Sequence, residues 1–196
     1  MTKGDETRAS ILREGLDLTS EIGLEALSLG GLAKRVGMSK SGLYAHFSSK
    51  EDLQCQVLDA TAELFVDVVL APALKQSRGL PRLRALFSRW LDWSTKELSG
   101  GCPFVAASAE YDDRPGPVRD RLVSHLRDVT ETVSRAAAIS VEEGHLRKDL
   151  DLEQFAFEYW GILLAFHHFC RLMHSTDARA WADRALENLI KNAGGK

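Results

Sequence analysis

No uninterrupted apolar run in the 196 residues approaches the roughly 20 that a helix needs to cross a bilayer. The opening residues Met1 to Arg8 are polar and carry no signal-peptide pattern, so a cytoplasmic location and no membrane partner are expected. Cysteine is scarce. Cys55, Cys102 and Cys170 are odd in number and lack metal-ligand spacing, which argues against a disulfide framework and leaves reduced, mostly buried thiols. Cys102, set between Gly100-Gly101 and Pro103, is expected to be the most exposed of the three. His167, His168 and His174 have no Asp or Glu at matching spacing, and adjacent residues such as His167 and His168 point about 100° apart on a helix. No metal, no cofactor and no enzymatic activity are therefore expected. Alternating strand patterns, internal repeats and low-complexity tracts are missing too, which leaves an all-α fold.

What is present is helical periodicity, and at 44% hydrophobic content the chain can bury a real core. Thr7 to Ile22 places Ile11, Leu12, Gly15, Leu16, Leu18 and Thr19 at helical spacing with charged residues between them, and Gly23 ends it. From Ser49 to about Leu70, Leu53, Val57, Leu58, Leu64, Phe65 and Val68 keep the period for about five turns. That is roughly 30 Å at 1.5 Å per residue, enough to leave one folding unit and enter another. Ala71-Pro72 is expected to end or kink this helix, and Lys75 to Pro81 to form a loop. Further helices are expected over Leu80 to Leu98, Cys102 to Tyr111 and Val118 to Glu143, with a turn at Asp112 to Pro117 and a frayed tail from Ala193 to Lys196.

The most informative stretch is Ser28 to Asp52. Two short apolar-patterned segments, Leu29 to Val36 and Lys40 to Phe47, are joined by Gly37-Met38-Ser39, a link so short that one helix must fold across the other. Ser28 and Ser39 are placed to cap the two helices, Gly37 suits a left-handed residue past the first, and Ser49 with Asp52 reads as a capping box opening the long helix. Leu32, Ala33, Val36, Leu43 and Phe47 form the expected buried face, leaving Lys40, Ser41, Tyr44 and His46 outside. Between Ser28 and Lys50 stand Lys34, Arg35, Lys40 and Lys50 and no acid at all, in a chain of net charge −3. A local cationic patch on an acidic protein points to a polyanion, and duplex DNA is the obvious one.

These residues resemble the DNA-binding domain of the TetR family of transcriptional regulators. The family's Tyr-x-x-Phe-x-x-Lys-x-x-Leu pattern stands here as Tyr44, Phe47, Lys50 and Leu53, preceded by Gly23, Ser28, Ala33, Val36, Gly37, Ser39 and Leu43. The match runs from Arg8 to Leu53. It departs from the family at Gly30-Gly31, where two interior glycines cost about 1.5 to 2 kcal/mol of helix propensity and leave the first short helix loose.

The resemblance implies a three-helix helix-turn-helix domain over residues 1–53 and a helical effector-binding and dimerisation domain over 54–196. It implies that the second short helix enters the major groove. Lys40 and Ser41 then reach base edges or phosphate, Tyr44 and His46 serve the backbone, Gly42 permits close approach, and Ser28, Ser39 and Lys50 meet phosphates. Thr7 and Arg8 are placed near a phosphate as well. Few long side chains are available to read bases, so groove shape carries part of the specificity. The implied protein is a repressor released from a near-palindromic operator by a small apolar or aromatic effector. Trp90, Trp93, Phe104, Tyr111, Trp160 and His167 are the candidate lining of its pocket.

Asp151 to His174 is apolar nearly all round and must be covered on two sides, which a domain this small cannot do alone. A homodimer is expected, with Phe155, Tyr159, Leu163, Phe166, Trp181, Ala185 and Leu189 in a four-helix interface. The alternative is a helical adaptor that binds protein and not DNA, for which the acid-free window has no use.

Overall fold

The computed structural model describes residues 3–195, so Met1 and Thr2 of the polar start and Lys196 of the tail lie outside the described residues. The helices are α1 (Lys3–Ile22), α2 (Leu29–Arg35), α3 (Lys40–Tyr44), α4 (Lys50–Phe65), α5 (Ala71–Leu74), α6 (Leu80–Lys96), α7 (Pro103–Tyr111), α8 (Pro117–Glu142), α9 (Leu152–His167) and α10 (Ala178–Asn192). Two π-helical turns, Val66–Leu70 and His168–Leu172, extend α4 and α9. Among the described residues there is no strand, and no helix is long and apolar enough to cross a membrane.

The chain forms two compact units. One comprises the residues up to Leu64 together with Thr95–His125; the other comprises Phe65–Ser94 and Leu126 onward. Helices α4, α6 and α8 each carry the chain from one unit into the other. The sequence reading places a single boundary between residues 53 and 54, whereas the compact units exchange chain three times.

In the first unit, Ile11 and Leu16 of α1, Leu24 and Leu27 of the following loop, Leu32 of α2, Leu43 of α3 and Leu53, Val57 and Leu58 of α4 meet in a closed core. The segment before and along α7 is fastened to this core by polar contacts. Ser99 donates its backbone N–H and its hydroxyl to the Asp17 carboxylate, both at 2.9 Å, and the Gly100 N–H reaches the Ser20 hydroxyl at 2.8 Å. Gly100 lies so close to α1 that a side-chain carbon there would overlap the Ser20 carbonyl. The Glu110 carboxylate accepts the backbone N–H groups of Leu24 and Glu25 at 2.9 and 3.0 Å. Asp59 of α4 is held by Arg121 and by His125 Nε2, both at 2.8 Å, from α8. Cys102 is fully buried at the start of α7, whereas Cys55 and Cys170 are half-buried. The expected exposure of Cys102 is thus reversed, because its neighbours Ser99 and Gly100 are pinned to α1 and carry it inward.

In the second unit, α9 and α10 pack against each other and against α6. Edge-to-face ring pairs Phe65 with Trp93, Phe87 with Tyr159 and Trp90 with Trp160 fill the interior. Arg84 of α6 grips Glu187 of α10 through two bonds of 2.8 Å, and Arg179 reaches Asp92 at 2.9 Å. Pro72 does not end the helix, which runs on through the π turn Val66–Leu70 into α5. The wide π turn just before it makes room for the proline ring, and Arg89 donates at 3.4 Å to the Val68 carbonyl, which Pro72 has no N–H to serve. The tail is ordered through Gly195: Gly194 takes φ +84, Gly195 N–H bonds the Ile190 carbonyl at 2.8 Å, and Arg147 N–H bonds the Ala193 carbonyl at 2.9 Å.

Candidate functional site

The first unit presents α2, a three-residue turn and α3. Helix α2 forms despite Gly30-Gly31, because Ser28 Oγ accepts the Gly31 N–H at 3.1 Å and Leu29, Leu32 and Ala33 are buried. Gly37 takes φ +69, where a side chain would be strained, and the Met38 N–H closes the helix onto the Ala33 carbonyl at 3.0 Å. Ser39 Oγ then accepts the Gly42 N–H at 3.1 Å and starts α3. Leu43 and Phe47 anchor α3 from beneath, with the helix itself ending at Tyr44 and the chain turning through Ala45 and His46. Asp52 completes a capping box displaced by one residue: its N–H bonds Ser49 Oγ at 3.0 Å, while its carboxylate takes the Ser48 N–H at 2.7 Å.

Lys40, Ser41 and Tyr44 are exposed side by side, with Lys40 Nζ 6.0 Å from the centre of the Tyr44 ring. Tyr44 is 50% exposed, which a large aromatic side chain anchored in a core would not be. Gly42 and His46 are half-buried at the edge of this surface. Ser28 and Ser39 spend their oxygen lone pairs on helix caps.

The acid-free window of the sequence is not acid-free in space. Arg35 is clasped by Glu14, Asp17 and Glu21 of α1 at 3.1, 2.9 and 3.3 Å. Lys50 donates to the Glu25 carbonyl at 2.6 Å and to Glu25 Oε1 at 3.1 Å. Arg8 bonds Gln56 Oε1 at 3.0 and 2.6 Å and lies over the Phe47 ring, so it is tied inward from its expected phosphate. Lys34 and Lys40 make no ion pair among the described residues. Sequence spacing missed Glu14, Asp17, Glu21 and Glu25 because all four precede the window and fold back onto it.

Glu25 is the centre of a small polar cluster. Its Oε2 accepts the Tyr111 hydroxyl at 2.8 Å and faces Arg114 at 3.5 Å. The Tyr111 hydroxyl, then Lys50, hold the Glu25 carboxyl below the usual range, and burial followed by Glu25 pushes the Tyr111 phenol above its own. A cleft of about 270 Å³ opens here, with Gln54 and Arg119 also on its walls.

The six aromatic and histidine residues expected to line one pocket are divided. Phe104 and Tyr111 belong to the first unit, Trp90, Trp93, Trp160 and His167 to the second, and no cavity described gathers them. Trp90 alone of the six lines a small apolar pocket of the second unit, with Val69, Leu70, Val129, Thr132 and Tyr159 around it. At about 20 Å³ it has room for about one water molecule. Tyr159 is spoken for by the Leu83 carbonyl at 3.3 Å, and burial, then Arg171, lowers the His167 pKa.

The expected dimer face needs the same correction. Phe155, Tyr159 and Leu163 are 1–2% exposed and are covered by their own unit, so they cannot meet a second copy. An open groove of about 540 Å³ runs instead between α9 and α10. Phe166 and Leu189 form its buried floor, and Gly161, Ala165, Phe169, Trp181 and Ala185 form its sides. Among the described residues no group of His, Cys, Asp or Glu is placed to hold a metal ion.

A chain helical throughout its described residues, with a capped helix-turn-helix in one unit and a small apolar pocket in the other, has the build of a helix-turn-helix regulator. The family described as "Tetracyclin repressor-like, C-terminal domain" matches residues 79–186, and "Bacterial regulatory proteins, tetR family" matches residues 11–54. The chain belongs to the TetR family. It is 41% identical over 131 residues to the tetracycline repressor protein class A of Escherichia coli, covering 62% of this chain and 53% of that one. The chain spans about half the length of the curated relatives it matches first. A TetR transcriptional regulator from Chloroflexus aurantiacus shares the fold, with TM-score 0.85 at 21% identity over 97% of this chain and 96% of that chain. So does AibR, solved in complex with isovaleryl coenzyme A and operator DNA, with TM-score 0.74 at 22% identity over 93% and 98%.

Proposed function

We propose that this protein is a cytoplasmic, homodimeric DNA-binding transcriptional regulator, a repressor released from a near-palindromic operator by a small apolar or aromatic effector. The observation that carries the reading is α3 itself. A helix of five residues has no stability of its own, yet here it is capped by Ser39, anchored by Leu43 and Phe47, and left with Lys40, Ser41 and Tyr44 exposed together. Lys40 and Ser41 reach base edges or phosphate, Tyr44 and His46 serve the backbone, and Gly42 keeps the helix surface low enough for close approach.

Dimerisation follows from the groove between α9 and α10, an apolar surface carrying a 46%-exposed Trp181 that a second copy would cover. Two-fold symmetry of the protein then demands two-fold symmetry of the operator. The effector site is the Trp90 cavity, whose apolar walls favour an apolar ligand and whose small volume requires it to open on binding. A ligand that fits only the opened form shifts the population toward it, which is the energetic requirement for a switch. AibR, bound to an acyl-coenzyme A and to operator DNA, illustrates the pairing of the two ligands in a protein of this fold. DNA fragments from the chain's own genomic neighbourhood, titrated in a mobility-shift assay with and without small apolar and aromatic molecules, test the proposal. Salt-dependent binding relieved by one of them supports it, and no binding even at low ionic strength refutes it.

A further inference from the structure

Lys50 is the family-pattern lysine from which a phosphate contact is expected, yet its ammonium lies on the carbonyl and carboxylate of Glu25. The same carboxylate is held from its other side by the Tyr111 hydroxyl at 2.8 Å and faced by Arg114 at 3.5 Å. Three donors therefore share one anion, on a surface where a second anion, the DNA backbone, is to arrive. We infer that Glu25 is an internal competitor for the phosphate contact of Lys50, and that Tyr111 and Arg114 are positioning residues that hold the Glu25 charge once Lys50 has left it.

The inference rests on the DNA-binding reading and adds a term to it. An ammonium that moves to a phosphate leaves a carboxylate uncompensated beside a polyanion, and like charges at that range oppose binding. The Tyr111 hydroxyl and Arg114 approach Oε2, the oxygen Lys50 does not use, so they can keep the carboxylate satisfied while Lys50 changes partner. They also place the exchange under the control of α7. Tyr111 is the last residue of α7 and its ring is buried, so a shift of that helix moves the hydroxyl and with it the orientation of Glu25. The Glu25 backbone N–H is held by the carboxylate of Glu110, the neighbour of Tyr111 on α7, so this one helix grips both the backbone and the side chain of Glu25.

The test is a set of variants of the full chain titrated by fluorescence anisotropy against labelled duplexes long enough to carry two half-sites a helical turn apart, over a range of salt. Glu25→Gln keeps a hydrogen-bonding partner for Tyr111 and removes the charge; it is expected to tighten binding, by roughly 5-fold. Tyr111→Phe keeps the buried ring and is expected to weaken binding by roughly 3- to 10-fold, the range of one ordinary net hydrogen bond. Combined with Glu25→Gln, it is expected to have no further effect, which a merely structural role for the hydroxyl would not produce. Lys50→Met is expected to reduce the slope of log affinity against log salt by about 0.9 per protomer and to abolish the gain from Glu25→Gln. Equal affinities for the unaltered protein and Glu25→Gln, or a loss on Tyr111→Phe that persists in the double variant, would overturn the inference while leaving DNA binding intact. Absence of any salt-dependent binding by the unaltered protein would overturn the reading beneath it as well.

Discussion

Arg35 and Lys40 stand five residues apart and face different tasks. Arg35 spends its charge on three carboxylates of α1, whereas Lys40 makes no ion pair among the described residues and lies 6.0 Å from the centre of the Tyr44 ring. Arg35→Ala is expected to lower the denaturation midpoint and leave the salt slope of DNA binding unchanged. Lys40→Ala is expected to leave the midpoint unchanged and reduce the slope by about 0.9 per protomer, with affinity falling for every sequence. Gly30 is helical with open space around its α-carbon, so Gly30→Ala should stabilise the first unit by about 0.5 to 1 kcal/mol in urea denaturation. Asp17 and Asp52 are two of the carboxyls through which acid acts. The Ser99 N–H, then the Ser99 hydroxyl and Arg35, lower the pKa of Asp17, and the Ser48 N–H leads the same effect on Asp52. Folded pKa values below those of the unfolded chain mean that this stabilisation is complete above about pH 4 and is lost as pH falls through the lowered values. Circular dichroism melts should therefore fall below about pH 4, and Asp17→Asn should flatten that fall. The caps at Ser28, Ser39 and Ser49 were legible in the sequence because each acts on a backbone group three residues away. The partners of Arg35 and Lys50 were not, since Glu14 and Glu25 lie 21 and 25 residues from them and no local pattern encodes that distance.

Helices were legible as elements; their faces were not. Periodicity locates α9 without difficulty, but a helix apolar nearly all round offers no contrast by which to tell the stripe its own unit covers from the stripe left outside. The stripe through Phe155, Tyr159 and Phe166 is the inward one, and Gly161, Ala165 and Phe169 are left on the open groove with Trp181 and Ala185. A charge placed in that groove should separate two copies: Ala185→Arg is expected to give a monomer by light scattering with the fold retained by circular dichroism, and to lose operator binding with it. The π turn at Val66–Leu70 escaped the sequence reading for a related reason. Proline signals the loss of one hydrogen bond, but whether the chain then stops or widens depends on a donor such as Arg89, 21 residues from the Val68 carbonyl it serves.

At the scale of the molecule, the family and the all-α class were legible from residues 8–53, because that stretch is compact, local and rich in capping and turn residues. The division into compact units was not, because Thr95–His125 joins the amino-terminal helices through Ser99, Gly100, Glu110, Tyr111 and Arg121, contacts that span up to 86 residues. Gly100→Ala probes that attachment directly. A methyl group forced against the Ser20 carbonyl should lower the denaturation midpoint sharply, and the same variant should weaken DNA binding by loosening the base of α1.

The attachment also bears on any attempt to engineer a chimera. Snipping the gene after the fourth helix would strip Asp17, Ser20 and the Leu24-Glu25 amides of the groups that hold them. Whoever grafts the first compact unit onto another chain must transplant two separate stretches of sequence and splice them at three points inside continuous helices.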